Sequence, residues 1–245
     1  MSMPAITPMS QQERPTATAN HRSRVGADRR EQMRMRLIAS AMLVFARRGA
    51  GGSVIDEVIT TAKVSRGTFY NYFCTNDELF IAVAEEVGNQ LLRTVDPVLM
   101  RHSPGAARVA CGIRLTVALA KAHPLLAAFL GRAGPSALGA HSLANDIVGR
   151  DIADAFAAGQ FSGVHPRLAF DLITGPVMSA FNSLQGEPLP DGYERDMAQA
   201  VLQALGIPRA TAQRLSRLPL DDVTAAPDSL LARVESLALA QARPV

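Results

Sequence analysis

The stretch Val64-Ser65-Arg66-Gly67-Thr68-Phe69-Tyr70-Asn71-Tyr72-Phe73 decides the fold. Ser65 is a good helix N-cap, because its hydroxyl can accept from an orphan amide of the first turn, and a short helix is expected from there through Phe73. Just upstream, Ile55, Val58, Ile59 and Ala62 recur at helical spacing, which predicts a helix over Val54 to Ala62 with Lys63 and Val64 as the turn. Two short helices joined this way need a third to cover their apolar side. Met33, Leu37, Ala41, Val44 and Phe45 supply it, opening at Asp28, which has Glu31 at capping-box spacing, and stopping at Gly49, Gly51 and Gly52. The outcome is a compact head over residues 28–75 with one helix exposed, preceded by a polar segment, residues 1–27, expected to be a flexible arm.

The exposed side chains of that helix suit the edges of base pairs. Arg66 offers a forked donor for guanine O6/N7, Asn71 a match for adenine, and Thr68 a hydroxyl and a methyl group that meets thymine. Tyr70 and Tyr72 reach phosphates or sugars, and Gly67 permits a close backbone approach. Phe45, Phe69, Phe73 and Phe80 are read as the core of a head with little else to bury. For Tyr72, packing and nucleic-acid contact weigh equally.

Charge is distributed to match. Residues 1–75 carry eleven Arg/Lys against five Asp/Glu, and residues 76–245 fourteen against seventeen. A basic front on an acidic body fits a polyanion-binding head, although a solvated basic tail explains the charge equally well. Other classes are excluded by pattern. The apolar fraction of 48% and charged fraction of 19% argue against wholesale disorder. The most hydrophobic segment, 109–130, contains Arg114, Lys121 and Pro124, so it reads as buried helices rather than a membrane span. Without a secretory signal, a cytoplasmic location is expected, with Cys74 and Cys111 as two separate thiols. No Gly-rich phosphate loop, HExxH, GxSxG or CxxC is present, so no enzyme, cofactor or metal site is expected.

Beyond the head, Thr75 or Asn76 caps a helix that carries Asp77 and Glu78 in its first turn and runs to about Val95, with Pro97 marking its end. Further helices are expected at 104–122, 124–131, 141–158, 166–185 and 190–205. In 208–245, Leu230, Leu231, Val234 and Leu237 allow at most one short helix. The fold class is therefore all-α: an N-terminal three-helix helix-turn-helix head joined to a larger helical domain over 76–207, with 208–245 as an extension. The groups available to line a pocket in that domain are His123, Phe129, Asn145, Phe156, Phe170 and Met178, together with His141, Asp146 and Asn182. Each Met or Phe at helical spacing is more simply core, His123 before Pro124 more simply ends a helix, and His141 with Asp146 and Asp151 has no metal spacing.

The string from Val64 to Phe73, followed by Asp77-Glu78-Leu79-Phe80, resembles the helix-turn-helix signature of the TetR family of bacterial transcription regulators, over roughly residues 33–80. The resemblance implies a homodimer on a palindromic double-stranded DNA operator and a small-molecule effector bound in the larger domain. It also implies a dimer interface formed by the helices near 166–185 and 190–205. It draws base-reading residues from Arg66, Gly67, Thr68, Tyr70 and Asn71, and backbone contacts from Ser53, Lys63, Ser65, Tyr72 and Asn76. The function implied is a repressor released by its effector; the alternative is a helical protein–protein adaptor without DNA readout.

Three positions depart from the family pattern. Ser53 and Val54 stand where a Thr is common, so a hydroxyl contact comes from Ser53 or is absent. Lys63 replaces a turn Gly, at a cost of about 1 kcal/mol if the backbone there is left-handed. Asn76 replaces a phosphate-binding Lys. Arg22, Arg24, Arg29 and Arg30 compensate along the backbone or in the minor groove, or belong to a solvated tail.

Overall fold

The computed structural model describes residues 17–48, 54–139 and 142–242. All regular structure among them is helical: α1 Ala17–Arg48, α2 Ile55–Ala62, α3 Arg66–Tyr70, α4 Asn76–Leu99, α5 Ala106–Ala122, α6 Pro124–Ala133, a 3-10 turn Gly134–Leu138, α7 Leu143–Ala157, α8 Pro166–Ser183, α9 Tyr193–Ala204, α10 Arg209–Leu215 and α11 Leu230–Ala242. The chain divides into two compact units, Met1–Met35 and Arg36–Val245. In its described part the first is the leading stretch of α1, where Glu31 and Arg34 pair one turn apart at 3.8 Å.

The first helix begins at Ala17, so Asp28 stands inside it rather than capping it, and residues 17–27 of the expected arm are helical. The stretch from Ala17 to Ala27 holds no proline, and its alanines and arginines are strong helix formers. Gly26 costs roughly 1 kcal/mol, which does not stop a helix already propagating. The glycines expected to end the helix, Gly49, Gly51 and Gly52, lie outside the described residues, as do 1–16.

Inside the second unit, α1 buries Leu37, Ile38, Ala41, Met42 and Phe45 completely or nearly so. Phe45 meets Phe80 of α4 edge to face at 5.1 Å between centroids, and both rings contact Phe129 of α6 at 6.3 and 5.7 Å. Arg132, also on α6, donates to the Ala46 carbonyl in the last turn of α1, where a cation also favours the helix dipole. These contacts join the head to the larger domain along α4 and α6.

The fourth helix opens with a reciprocal cap. Thr75 Oγ1 accepts from the Glu78 amide at 3.0 Å, while Glu78 Oε2 accepts from the Cys74 amide at 2.7 Å. It does not stop before Pro97: the helix continues to Leu99 with the proline inside. Burial of Val95, Val98 and Leu99 outweighs the one hydrogen bond that Pro97 cannot donate.

The central element of the larger domain is α5, which packs against α4, α6, α7, α8, α9 and α10 and is buried on nearly every side. Two glycines allow backbones to close on each other around it. A Cβ at Gly88 of α4 would lie 2.9 Å from the Ala137 carbonyl oxygen, and one at Gly131 of α6 would lie 3.1 Å from that of Phe181 on α8.

The C-terminal part holds two helices where at most one short one was expected. Pro219 and Pro227 both fall between α10 and α11 and interrupt neither. α10 packs on α9 and α5 around the buried Ala212, and α11 buries Leu230, Leu231 and Val234. Polar contacts also hold α11 at both levels of the molecule. Glu235 pairs with His123 at 2.5 Å, while Gln241 accepts from Arg47 at 2.5 Å and donates to Thr61 at 3.4 Å.

Candidate functional site: a nucleic-acid interface and an internal cavity

The interface is built on three short local devices. α2 turns its Val58 and Ala62 inward, and its chain then reverses at Lys63, which takes φ 53°, ψ 51°. This is the left-handed region, and Lys63 is the one non-glycine residue there among those described. Its amide closes the helix by donating to the Ile59 and Thr60 carbonyls, so the ammonium is left exposed at the turn. Next, Ser65 is extended at φ −80°, ψ 158°, and its Oγ accepts from the Thr68 amide at 3.1 Å. The two hydroxyls of Ser65 and Thr68 also lie 2.9 Å apart. Finally, Phe69 is fully buried and stacks at a tilt on Phe73, 6.1 Å between centroids, which pins one side of α3 to the head.

With Phe69 inward, Arg66, Gly67, Tyr70 and Asn71 are all exposed, and Tyr70 is 46% accessible although it is a large ring. Thr68 and Tyr72 are half-buried. α3 is shorter than the expected 65–73: it ends at Tyr70, with Asn71 as its C-cap, and the amides of Tyr72 and Phe73 both return to the Phe69 carbonyl. Asn76 is the first residue of α4, half-buried behind the Thr75 cap, and Ser53 lies outside the described residues. Arg24, Arg29 and Arg30 are exposed along α1; the side chain of Arg22 lies outside the described set. Two ion pairs anchor the first turn of α2: Arg66 Nη2 to Asp56 Oδ1 at 2.5 Å, and Arg48 Nε to Glu57 Oε2 at 2.8 Å.

The larger domain holds a cavity of about 80 Å³ between α4, α5, α7 and α8, bordered also by Leu130 and the 3-10 turn. Leu91 and Val95, Ile113, Val148, Ile173 and Phe181 make it mostly apolar. Thr116, Thr174, Ser142, Arg108 and Asp151 are its polar lining residues, and of these Thr174 Oγ1 donates to the Phe170 carbonyl at 2.9 Å while Ser142 Oγ accepts from the Ala144 amide at 3.2 Å. Arg108 is 3.6 Å from both Asp151 and Asp154, and Arg150 links Asp151 at 3.0 Å to Asp96 at 2.9 Å. Burial pushes the Asp151 carboxyl above the usual carboxylate range, against the opposing pull of Arg150 and Arg108.

Of the pocket residues expected from sequence, Met178 lines this cavity. The others serve elsewhere. Phe129 belongs to the seam with Phe45 and Phe80; His123 pairs with Glu235; Asn145 is exposed and donates to the Gly139 carbonyl; and Phe156 packs edge-on to Phe161. Phe170 is half-buried under the Arg167 guanidinium, Asp146 and Asn182 are exposed, and His141 lies outside the described residues. The missed group with a legible signal is Asp151. It follows Ile147 and precedes Ala155 at four-residue steps, so a charge sits on the apolar face of α7.

Cys74 is exposed between α3 and α4, whereas Cys111 is fully buried on α5 and its thiol is pushed up to about 11 by burial. Among the described residues no cluster of His, Cys, Asp or Glu has metal-binding geometry, and no single helix is long and apolar enough to cross a membrane.

Comparison with known proteins bears on both parts. Residues 37–83 match the family described as bacterial regulatory proteins, tetR family, and residues 104–217 match the tetracyclin repressor-like C-terminal domain, together about two thirds of the chain. The HTH-type transcriptional repressor DhaR of Mycobacterium sp. (strain GP1) is 31% identical over 70 residues, which is 29% of this chain and 35% of DhaR, so the chain matches about a third of that relative's length. The crystal structure of RolR in complex with resorcinol superposes with a TM-score of 0.64 at 28% identity, covering 81% of this chain and all of RolR. The fatty acid degradation regulator FadR from Bacillus halodurans shares the fold, with a TM-score of 0.58 at 16% identity over 69% of this chain and 98% of that one.

Proposed function

Because the chain belongs to the TetR family of bacterial transcriptional regulators, DNA-binding proteins with an all-α architecture, we propose that it is a homodimeric repressor whose effector is a small hydroxylated aromatic. The observation that carries the DNA-reading half is the solvent face of α3. Its buried Phe69 leaves Arg66, Gly67, Tyr70 and Asn71 outward along a short helix narrow enough for the major groove. Base contacts come from these residues. Thr68 contributes its methyl group, since its hydroxyl is engaged with Ser65. Lys63, Ser65, Tyr72 and Asn76 surround them as backbone contacts.

The dimer forms through α8 and α9. Leu168 is 49% exposed on α8, and Leu172, Gly175, Ser179 and Ser183 continue from it at steps of three or four residues, an apolar and then small-sided face that lets a partner helix come close. A two-fold pair of heads reads two symmetry-related half-sites, hence a palindromic operator.

The effector enters the internal cavity. RolR, similar over its whole length, is a protein whose structure holds resorcinol. Here apolar walls with Thr116 and the Arg108–Asp151 pair among the lining suit a flat ring carrying hydroxyl groups. The cavity, about 80 Å³, is smaller than the roughly 150 Å³ hole that holds a benzene. A ring therefore needs more room than the cavity offers, and the surrounding helices must give way to hold it. α4 is the wall that matters: Gly88, Leu91, Val95 and Leu99 border the cavity, while its capped N-terminus follows α3 after five residues. Its backbone lies against the Ala137 carbonyl, which leaves little room for α4 to move toward the 3-10 turn.

Duplexes selected by the protein from a random-sequence library test both halves. Binding should weaken linearly in log salt, and resorcinol, but not cyclohexane-1,3-diol, should release the selected duplex. Salt-indifferent binding would point to the adaptor instead, and release by neither compound or by both would remove the aromatic effector.

A further inference from the structure

An acid stands on the surface proposed to face DNA, where phosphate repels it. Asp56 is the second residue of α2, and its carboxylate holds Arg66, the first residue of α3, at 2.5 Å. Its neighbour Glu57 is occupied by Arg48. An acid in the first turn of a helix is ordinarily explained by the helix dipole. That accounts for the presence of Asp56 but not for its grip on the one arginine of α3. Both side chains are about two-thirds exposed, 66% for Arg66 and 67% for Asp56, so the pair adds little to folding stability.

We infer that Asp56 is a specificity-determining residue that orients the Arg66 guanidinium for a guanine edge. The inference rests on the DNA-reading role proposed for Arg66. Geometry supports it. A guanidinium carries five N–H donors in a fixed plane, and the contact to Asp56 uses one hydrogen on Nη2. An edge with two parallel donors remains for guanine O6 and N7. An unsupported arginine has many rotamers and reaches phosphates as readily as bases; one held by a carboxylate on the neighbouring helix has already lost that freedom before DNA arrives. The carboxylate also penalises any arrangement in which it meets phosphate without the arginine between them, which lowers binding to unrelated DNA.

The test uses the full-length protein on the duplex it selects, on a series in which each guanine of a half-site is replaced in turn, and on an unrelated duplex. Asp56→Ala should lose about fivefold or more of the discrimination at one guanine position while binding the unrelated duplex more tightly. Arg66→Ala should lose discrimination at the same position, and the double variant should lose no more. Asp56→Asn should tighten unrelated binding as Ala does, yet keep most of the discrimination because it retains an oxygen acceptor. That rescue separates orientation from charge. Unchanged discrimination in Asp56→Ala, or tighter binding to the selected site with discrimination intact, would overturn the inference and make Asp56 a simple repeller. If Arg66→Ala leaves every position unchanged, base reading by Arg66 itself is wrong and the inference fails with it. Equal melting temperatures across the variants exclude misfolding as the cause.

Discussion

At position 63 the backbone turns left-handed, φ 53° and ψ 51°, and the chain carries a lysine there instead of a residue without a Cβ. A left-handed L-residue costs roughly 1–2 kcal/mol, and glycine gives back part of that in unfolded-chain entropy. Lys63→Gly should therefore raise stability by up to about 1 kcal/mol while flattening the salt dependence of DNA binding by roughly 0.9 in log–log slope, the share of one phosphate contact. A denaturation curve and a salt titration check the two halves separately; a gain in stability with an unchanged slope would mean that the ammonium touches no phosphate. Asp151 gives a pH signature of unusual sign. Its carboxyl is raised in the folded protein, so the native state holds that proton more tightly than the unfolded chain, and the stability it contributes falls as pH rises through the folded pKa. The wild type should gain on Asp151→Asn as the solution is acidified from neutrality, measured as the difference in melting temperature; a gain on alkalinisation would contradict the direction of the shift. At this scale the sequence spoke clearly wherever one residue acts on its own backbone. Ser65 caps as its type predicts, and the cost at Lys63 was readable from the missing glycine. The engagement of the Thr68 hydroxyl was not, because it depends on which rotamer Ser65 adopts.

At the level of elements, legibility followed periodicity. α2, α5, α6, α7, α8 and α9 lie within a few residues of their expected spans, since each carries an apolar stripe, bounded by Pro or Gly in all but α2, which ends at Lys63. The ends went wrong where tertiary burial overrode a local stop signal, as at Pro97, or where a polar helix had no stripe to announce it, as in the leading turns of α1 and in α10. α6 shows what position adds to pattern. Its Phe129, a pocket candidate that reads more simply as core, closes the seam on Phe45 and Phe80. Being fully buried, Phe129→Ala should cost about 3–5 kcal/mol in chemical denaturation. A loss below about 1 kcal/mol would show the seam to be loosely packed.

For the whole molecule the two halves of the function differ in how far they could be read. The proposed DNA face is local: the eleven consecutive residues 63–73 form the turn, the cap and the exposed side. The cavity is not. Its lining comes from α4, α5, α7 and α8, and each contributing residue looks in sequence like ordinary core; only their convergence makes a space. The proposed dimer face lies between these cases, because Leu168 and Leu172 read as apolar but exposure needs the fold. Leu168→Glu should yield a monomer by sedimentation with a preserved melting cooperativity and a loss of palindrome binding, and a surviving dimer would move the interface off α8. Finally, the chain brings its own spectroscopic handle. Of its two thiols, Cys111 is sealed in α5 with its ionisation pushed to about 11, and Cys74 is open at the joint between the reading helix and the helix that borders the cavity. A maleimide dye or spin label at pH 7.5 should modify one site per chain, with the second appearing only on unfolding. The unaltered protein should then report, from that single joint, the arrival of the proposed DNA and ligand partners, as a change in label signal on adding each.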